Sequence, residues 1–396
     1  MKIVIITGEE SGDELGASLV DALKESSLGK FELYGIGGSL LLKRGIQNFH
    51  HINEISVMGI IEVIPKILKI NRIIKNVTKS VLNLNPDIVI TIDSPDFTLR
   101  IAKNIKSKNQ NIKILHYVAP SVWGWRPKRV YTVKSVVDKL LTILPFEQKI
   151  FEEKKVPTTF VGHPITSKVK PQITLDQFNN KYLSNNEMPI LLILPGSRKP
   201  EIDKLLRIYL ETVEVFNIYK KFSVVLPIKK ELANYVRDII DKQNINYDVT
   251  ILDSDVAKYE SFTVADYAIA TSGTVALELS YFDIAYLVTY KFNYLSYTII
   301  KSLAQAKFAN LVNIINDQEN IPELIQSKCT VDNIGKVFNT IVSDQEYRET
   351  ILNASRIAID KLGTNSNPSA LAAEEVLKIV NNCLLYTSDA ADEGLG

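Results

Sequence analysis

Along the first 165 residues, short apolar runs alternate with stretches in which apolar positions recur every three or four residues. The runs are KIVIIT (2–7), FELYGIG (31–37), DIVITID (87–93), KILHYV (113–118), KLLTIL (139–144) and TTFVG (158–162). Most are uninterrupted rather than alternating, as expected of parallel strands covered by helices on both faces. After HPITSKVKPQITLDQ the pattern restarts with PILLILPG (189–196), FSVVLPI (222–228), DVTILD (248–253), YAIAT (267–271) and AYLVTY (285–290). The pattern predicts an α/β chain of two doubly wound domains, residues 1–165 and 166–345, with a central cleft at the carboxyl ends of their strands. Residues 346–382 are expected to form helices that cross back to the first domain. LLYTSDAADEGLG (384–396) has a different composition and no period, so it reads as a non-native tail outside the fold.

One helical stretch, SVMGIIEVIPKILKINRIIKNVTKSV (56–81), carries Lys66, Lys69, Arg72, Lys75 and Lys79 as its main charges after Glu62. Such a helix can lie on an anionic membrane surface, or it can be an ordinary domain helix with a solvated lysine face. Composition narrows the rest. A length of 396 residues suits two domains, and 46% hydrophobic content excludes disorder on that scale. Forty-six basic against 45 acidic residues give no field that would draw nucleic acid. Two cysteines, Cys329 and Cys383, cannot build a disulfide framework and fit a reducing cytosol. The first apolar run ends at Gly8, too short for a secretory signal core, and no uncharged stretch reaches the roughly 18 residues of a membrane span. A soluble, cytoplasmic protein is expected.

Candidate chemistry sits where strands turn into helices. LPGSR (194–198) ends a strand with Gly196 and presents Ser197 and Arg198. ATSGTVALE (270–278) does the same with Ser272, Gly273 and Thr274, then places Glu278 one helical turn on. Backbone amides, hydroxyls and an arginine at such turns suit a diphosphate, and a carboxylate at that offset suits ribose hydroxyls; taken singly, each is also an ordinary glycine turn. In IDSPDF (92–97), Asp93 ends a strand where a carboxylate can act as general base, whereas Asp96 is either a site residue or a helix N-cap. GEESGD (8–13) places three carboxylates at a turn that needs only glycine. APSVWGWRPKRV (119–130) sets Trp123 and Trp125 beside Arg126, Lys128 and Arg129, which suits sugar stacking, a membrane interface, or a loop pinned by buried indoles. The four histidines are scattered, so no metal is expected. No G-x-S-x-G, Walker A or G-x-G-x-x-G motif is present.

GEESGD (8–13), VMGIIEV (57–63), IDSPDF (92–97), HYVAPSVWGWRPKRV (116–130), LPFE (144–147), FVGHP (160–164), LPGSR (194–198), TSGTVALE (271–278) and NIINDQENIPELIQ (313–326) occur in this order. Together they resemble the lipid-A-disaccharide synthase family. The resemblance implies a GT-B fold of two Rossmann-like domains. It also implies an inverting glycosyltransferase joining UDP-2,3-diacylglucosamine to 2,3-diacylglucosamine 1-phosphate, with no cofactor. Residue by residue, it places Glu9, Ser11, Gly12 and Asp13, with Asp96, on the acceptor side, Glu9 also counting as catalytic. Asp93 becomes the base for the acceptor's 6-hydroxyl, and Asn313 aligns with an asparagine the family needs for activity. Gly196, Ser197, Arg198, Ser272, Gly273, Thr274, Glu278 and Glu319 would hold UDP. Gln318 stands where the family usually has arginine. Acylated substrates imply peripheral attachment to the anionic inner face of the inner membrane, and a homodimer is among the expected assemblies. Two alternatives are a UDP-N-acetylglucosamine 2-epimerase-like enzyme and an inactive sugar-nucleotide-binding protein.

Overall fold

A computed structural model describes residues 1–26, 30–54, 60–183, 188–291, 307–364 and 366–392. The chain divides into two units, Met1–Ser167 with Leu362–Gly396, and Lys168–Lys361.

In the first unit the six apolar runs form β1 (Lys2–Thr7), β2 (Glu32–Ile36), β4 (Ile88–Ile92), β5 (Ile114–Tyr117), β6 (Lys139–Thr142) and β7 (Thr158–Phe160), and the polar pair Gln47–Asn48 adds β3. They make a seven-stranded parallel sheet in the order β3-β2-β1-β4-β5-β6-β7. Successive side chains of a strand point to opposite faces, and here both faces are apolar. Val4, Ile6 and Val89 pack with Ile73, Val77 and Ile101 on one side. Ile3, Ile5 and Ile90 pack with Leu19, Leu23, Ala372 and Val376 on the other.

The second unit repeats the scheme with β8 (Ile190–Leu194), β9 (Ser223–Pro227), β10 (Val249–Leu252), β11 (Tyr267–Thr271), β12 (Ala285–Tyr290) and β13 (Glu323–Ile325). Its six-stranded parallel sheet has the order β10-β9-β8-β11-β12-β13. Strand order therefore reverses twice, between β1 and β4 and between β8 and β11. Loops diverge at such reversals, and ligands of doubly wound folds bind there.

The return to the first unit starts later than expected. Helix Gln345–Lys361 stays with the second unit, because Ser355 Oγ accepts from Ser280 Oγ (3.2 Å) and the Ala354 carbonyl accepts from Asn316 Nδ2 (2.8 Å). From Leu362 the chain rejoins the first unit: the His163 amide donates to the Leu362 carbonyl (3.0 Å), and Lys139 pairs with Glu375 (2.7 Å). The final helix, Pro368–Asp392, carries helical backbone into the stretch read as a tail. That stretch holds helix-favouring Leu and Ala, which outweigh its lack of period. Residues 393–396 lie outside the described residues.

Helix Ile60–Leu84 buries Ile73, Ile74, Val77 and Val81 and exposes Arg72, Lys75 and Lys79. Its second half is thus a domain helix with a solvated basic face. Residues 56–59 of the expected basic stretch, and the side chains of residues 60–67 with Lys66 among them, lie outside the described residues. Among the described residues no helix is long and apolar enough to cross a membrane.

Candidate active site

In the second unit the neighbouring ends of β8 and β11 open into one cavity of about 310 Å³, within the range of small-molecule sites. Gly196, Ser197, Arg198, Ser272, Gly273, Thr274 and Glu278 all line it. Gly196 has φ +117°, and a Cβ there would lie 2.5 Å from Glu201 Oε2, so both conformation and space require glycine. Glu201 sits in the first turn of helix Lys199–Val215. Its Oε2 accepts the Ser197 amide (3.2 Å), while Oε1 lies 3.6 Å from Arg198 and accepts the Tyr290 hydroxyl (3.5 Å). Its carboxylate thereby braces the Gly-Ser-Arg turn.

Across the cavity, the Ser272 amide donates to the Thr289 carbonyl (3.0 Å) and its hydroxyl to the Ala309 carbonyl (2.8 Å). Nothing crowds Gly273, where an added Cβ would meet open space. Glu278 accepts Tyr259 Oη on one oxygen (2.6 Å) and Lys258 Nζ on the other (2.8 Å). Tyr259 Oη in turn accepts Lys168 Nζ (2.6 Å). Each carboxylate oxygen has two lone pairs, so Glu278 keeps acceptor capacity toward the cavity. Pro227, Ile228 and Leu194 supply an apolar wall, and Lys229 and Lys258 further cations. The walls together suit a flat heterocycle, vicinal hydroxyls and a diphosphate.

Asn313 and Glu319 do not line this cavity. Glu319 is exposed beyond helix Leu311–Asn316. Asn313 is fully buried. Its Nδ2 donates to the Ile321 carbonyl and to Glu323 Oε1 (2.8 Å each), and its Oδ1 accepts the Asn320 and Ile321 amides (3.0 and 2.9 Å). All four polar capacities of the side chain are engaged, which contradicts an Asn313 that touches substrate.

In the first unit β1 and β4 end side by side, Thr7 opposite Ile92. A Cβ on Gly8 would lie 2.6 Å from Ser94 Cβ, so only glycine permits this approach. Asp93 and Ser94 both adopt left-handed backbone, φ 50° and 44°, a conformation that costs a non-glycine residue energy and persists where surroundings enforce it. Here they do: the Asp93 amide donates to the Tyr117 carbonyl (2.9 Å), and the Asp93 carbonyl accepts Thr98 Oγ1 (2.7 Å). Burial pushes the Asp93 carboxyl above its ordinary value, opposed by a hydrogen bond from the Ser94 amide. A raised carboxyl is better poised to take a proton.

The other first-unit candidates separate. Glu9 and Ser11 are exposed at the start of helix Glu10–Glu25, and Gly12 is buried against Thr7. Asp13 is buried, and its carboxylate accepts the amides of Gly38 (2.7 Å), Leu40 (2.9 Å) and Leu41 (3.2 Å). It ties down helix Ser39–Lys43 rather than offering itself to an acceptor, because charge-assisted bonds to three amides outcompete exposure. Ser94, not Asp96, occupies the N-cap of helix Pro95–Lys106. Exposed Asp96 pairs with Arg126 (3.2 Å) and with Arg129. Both guanidiniums lie over the Trp125 ring, at 4.1 and 5.8 Å. Trp125 is 43% exposed, whereas Trp123 is pinned: its Nε1 donates to Glu147 Oε1 (3.0 Å), and its ring meets Phe146 edge-on at 5.3 Å. One indole anchors the loop and the other faces outward.

Over residues 3–376 the sequence matches the family profile described as lipid-A-disaccharide synthetase. A lipid-A-disaccharide synthase of Rhodospirillum centenum is 33% identical over 380 residues, covering 96% of this chain and 94% of that protein. One from Rickettsia prowazekii is 33% identical over 378 residues, covering 94% and 98%. Among solved structures, a UDP-GlcNAc 2-epimerase from Neisseria meningitidis bound to UDP-GlcNAc superposes with TM-score 0.61 at 15% identity, covering 92% of this chain and all of that one (100%). A glycosyltransferase from Rickettsia africae gives 0.57 at 13%, covering 97% and 98%. At such identities the structures show shared architecture only: two Rossmann-like domains of GT-B type.

Glu147, almost fully buried, has its carboxyl pushed up to about 7 by desolvation, against the bonds from Trp123 and the Leu144 amide. Between about pH 4.5 and 7 the folded protein holds a proton that the unfolded chain has released, so stability falls as pH rises through that window. Glu147→Gln is expected to remove this slope, on the order of 3 kcal/mol at most. Urea unfolding followed by tryptophan emission at several pH values measures it; an unchanged slope would show that Glu147 titrates normally.

Proposed function

The chain belongs to the lipid-A-disaccharide synthase family and is a glycosyltransferase of lipid A biosynthesis, and from that premise we propose how its own residues carry out the reaction. The donor is UDP-2,3-diacylglucosamine and the acceptor 2,3-diacylglucosamine 1-phosphate. The observation that carries this reading is the convergence of the Gly196–Arg198 and Ser272–Thr274 turns on one cavity with Glu278. Arg198 and the amides of Gly273 and Thr274 take the diphosphate, Glu278 accepts from the ribose hydroxyls, and Pro227 and Ile228 flank the base.

Asp93 removes the proton of the acceptor 6-hydroxyl as its oxygen attacks the donor's anomeric carbon in line. The bond from that carbon to the diphosphate oxygen breaks, the configuration inverts from α to β, and UDP departs with the electron pair. Charge grows on the diphosphate as the bond breaks, so donors already fixed toward it stabilise the transition state more than the ground state. Glu9 and Ser11 bind acceptor hydroxyls beside Asp93. An epimerase reading has only shared architecture in its favour, and it would consume UDP-GlcNAc without a second sugar.

Both substrates carry acyl chains, so the protein works at a cytoplasmic membrane face. The exposed side of helix Ile60–Leu84, with Leu68 81% exposed beside Lys69, Arg72, Lys75 and Lys79, supports docking there, as does Trp125. Basic groups near an anionic surface contribute about 1 kcal/mol each.

Arg198→Ala is expected to lower UDP release from the two acylated substrates at least about a hundredfold; near-normal turnover removes Arg198 from the leaving-group site. Asp93→Asn should abolish transfer while UDP still binds by calorimetry. Loss of both activities would make Asp93 structural. Reversing the charge of Lys69, Arg72 and Lys75 should release the protein from phosphatidylglycerol vesicles in sedimentation, and undiminished pelleting would reject this face.

A further inference from the structure

We propose that Glu323 is a positioning residue for the diphosphate cradle, acting through the Ala309 carbonyl on Ser272. Glu323 opens β13, where it pairs with Val288. Its Oε2 accepts the Ala309 amide (2.8 Å), and its Oε1 accepts the Asn310 amide (2.9 Å) and Asn313 Nδ2 (2.8 Å). Three donors on one carboxylate are charge-assisted bonds, stronger than the neutral ones a loop can make with itself. They matter because Ala309 and Asn310 precede helix Leu311–Asn316 as irregular backbone with no ladder to hold them.

The Ala309 carbonyl, fixed in this way, accepts the Ser272 hydroxyl at 2.8 Å. The Ser272 amide is already committed to Thr289 on the adjacent strand. Ser272 is therefore held at its backbone by the sheet and at its side chain by the Glu323-bound loop. What it fixes is the turn that continues through Gly273 and Thr274 along the cavity wall. Ser272 serves as the hinge pin of the cradle, since its hydroxyl proton points to a carbonyl. Buried Asn313 donates to the same carboxylate, and through that bond it bears on the cradle. An asparagine that touches nothing in the cavity can thus still govern the reaction there.

This inference rests on the assignment of the cavity to the UDP diphosphate, and the experiment separates the two. UDP affinity is measured by calorimetry, with donor and acceptor KM, for Glu323→Gln, Ser272→Ala, their combination and Arg198→Ala. Gln has one oxygen acceptor, so it cannot receive all three donors. Glu323→Gln and Ser272→Ala should each raise the Kd for UDP and the donor KM about tenfold, leave the acceptor KM unchanged, and be no worse together than singly. Non-additivity of that kind marks residues acting on one linkage. If the glutamine variant does not fold, Ser272→Ala, at a half-buried position, alone must show the loss. Lowered thermal midpoints with UDP affinity intact, or losses that simply add, overturn the relay. If Arg198→Ala weakens UDP while the other two do not, the relay fails and the cradle stands. If none of them affects UDP, the cavity assignment itself fails.

Discussion

Parallel strands end together. A sheet in which every strand runs the same way gathers its carboxyl ends on one edge, and a reversal of strand order makes two neighbouring loops leave that edge in opposite directions. In this chain the reversal occurs between β1 and β4 and again between β8 and β11. The residues with chemical character cluster at those two points. The backbone arrangement is nearly the same in both, and the side chains make the difference. At the first reversal, Gly8 lets Ser94 approach closely and a left-handed Asp93 is held half-buried. At the second, Gly196 turns the chain past Glu201 and leaves an open cavity edged by cations. One fold thus supplies one edge with a half-buried carboxylate and another with a cation-lined cavity, and side-chain identity decides which.

The cavity is arranged by pairing. Arg198 lies near Glu201, and Lys258 near Glu278. The pair with the half-exposed Arg198 contributes little to stability. The effect of both pairs is on geometry: a long cationic side chain held by a neighbouring carboxylate has lost much of its rotamer freedom before any ligand arrives. Donors fixed in advance need no reorganisation when charge develops opposite them. Tyr259 and Lys168 extend the same bracing behind Glu278.

Much of the scaffold was legible in the sequence because fully buried parallel strands read as unbroken apolar runs. β1, β11 and β12 fall where KIVIIT, YAIAT and AYLVTY stand, and the other long strands differ only at their ends. β3 and β13 were not legible, since two or three residues carry no period. The Gly196–Arg198 and Ser272–Thr274 turns could be placed at strand ends because glycine beside Ser, Thr and Arg after an apolar run has a physical meaning. Roles were harder. Asp13 and Asn313 look like site residues as letters, and only the amides around them reveal that they hold the chain itself. Glu201 could have been found, since it stands three residues beyond Arg198 in a helix's first turn. Lys258 and Tyr259 come from a helix distant in sequence, and no local pattern points from them to Glu278.

The closing helix has a consequence for how the protein is made. Ala372 and Val376 complete the same core as Ile3, Ile5 and Leu19, yet the ribosome adds them only after the whole second unit. Roughly 200 residues of the second unit are synthesised between the two parts, a delay of about 10–40 s at ordinary elongation rates. During that interval an apolar face of the nascent amino-terminal sheet has only the part of its cover that Leu19, Leu23 and Leu41 supply. The carboxy-terminal lobe, contiguous in sequence, can close around its own core first. The half that leaves the exit tunnel earliest is therefore the half that matures last.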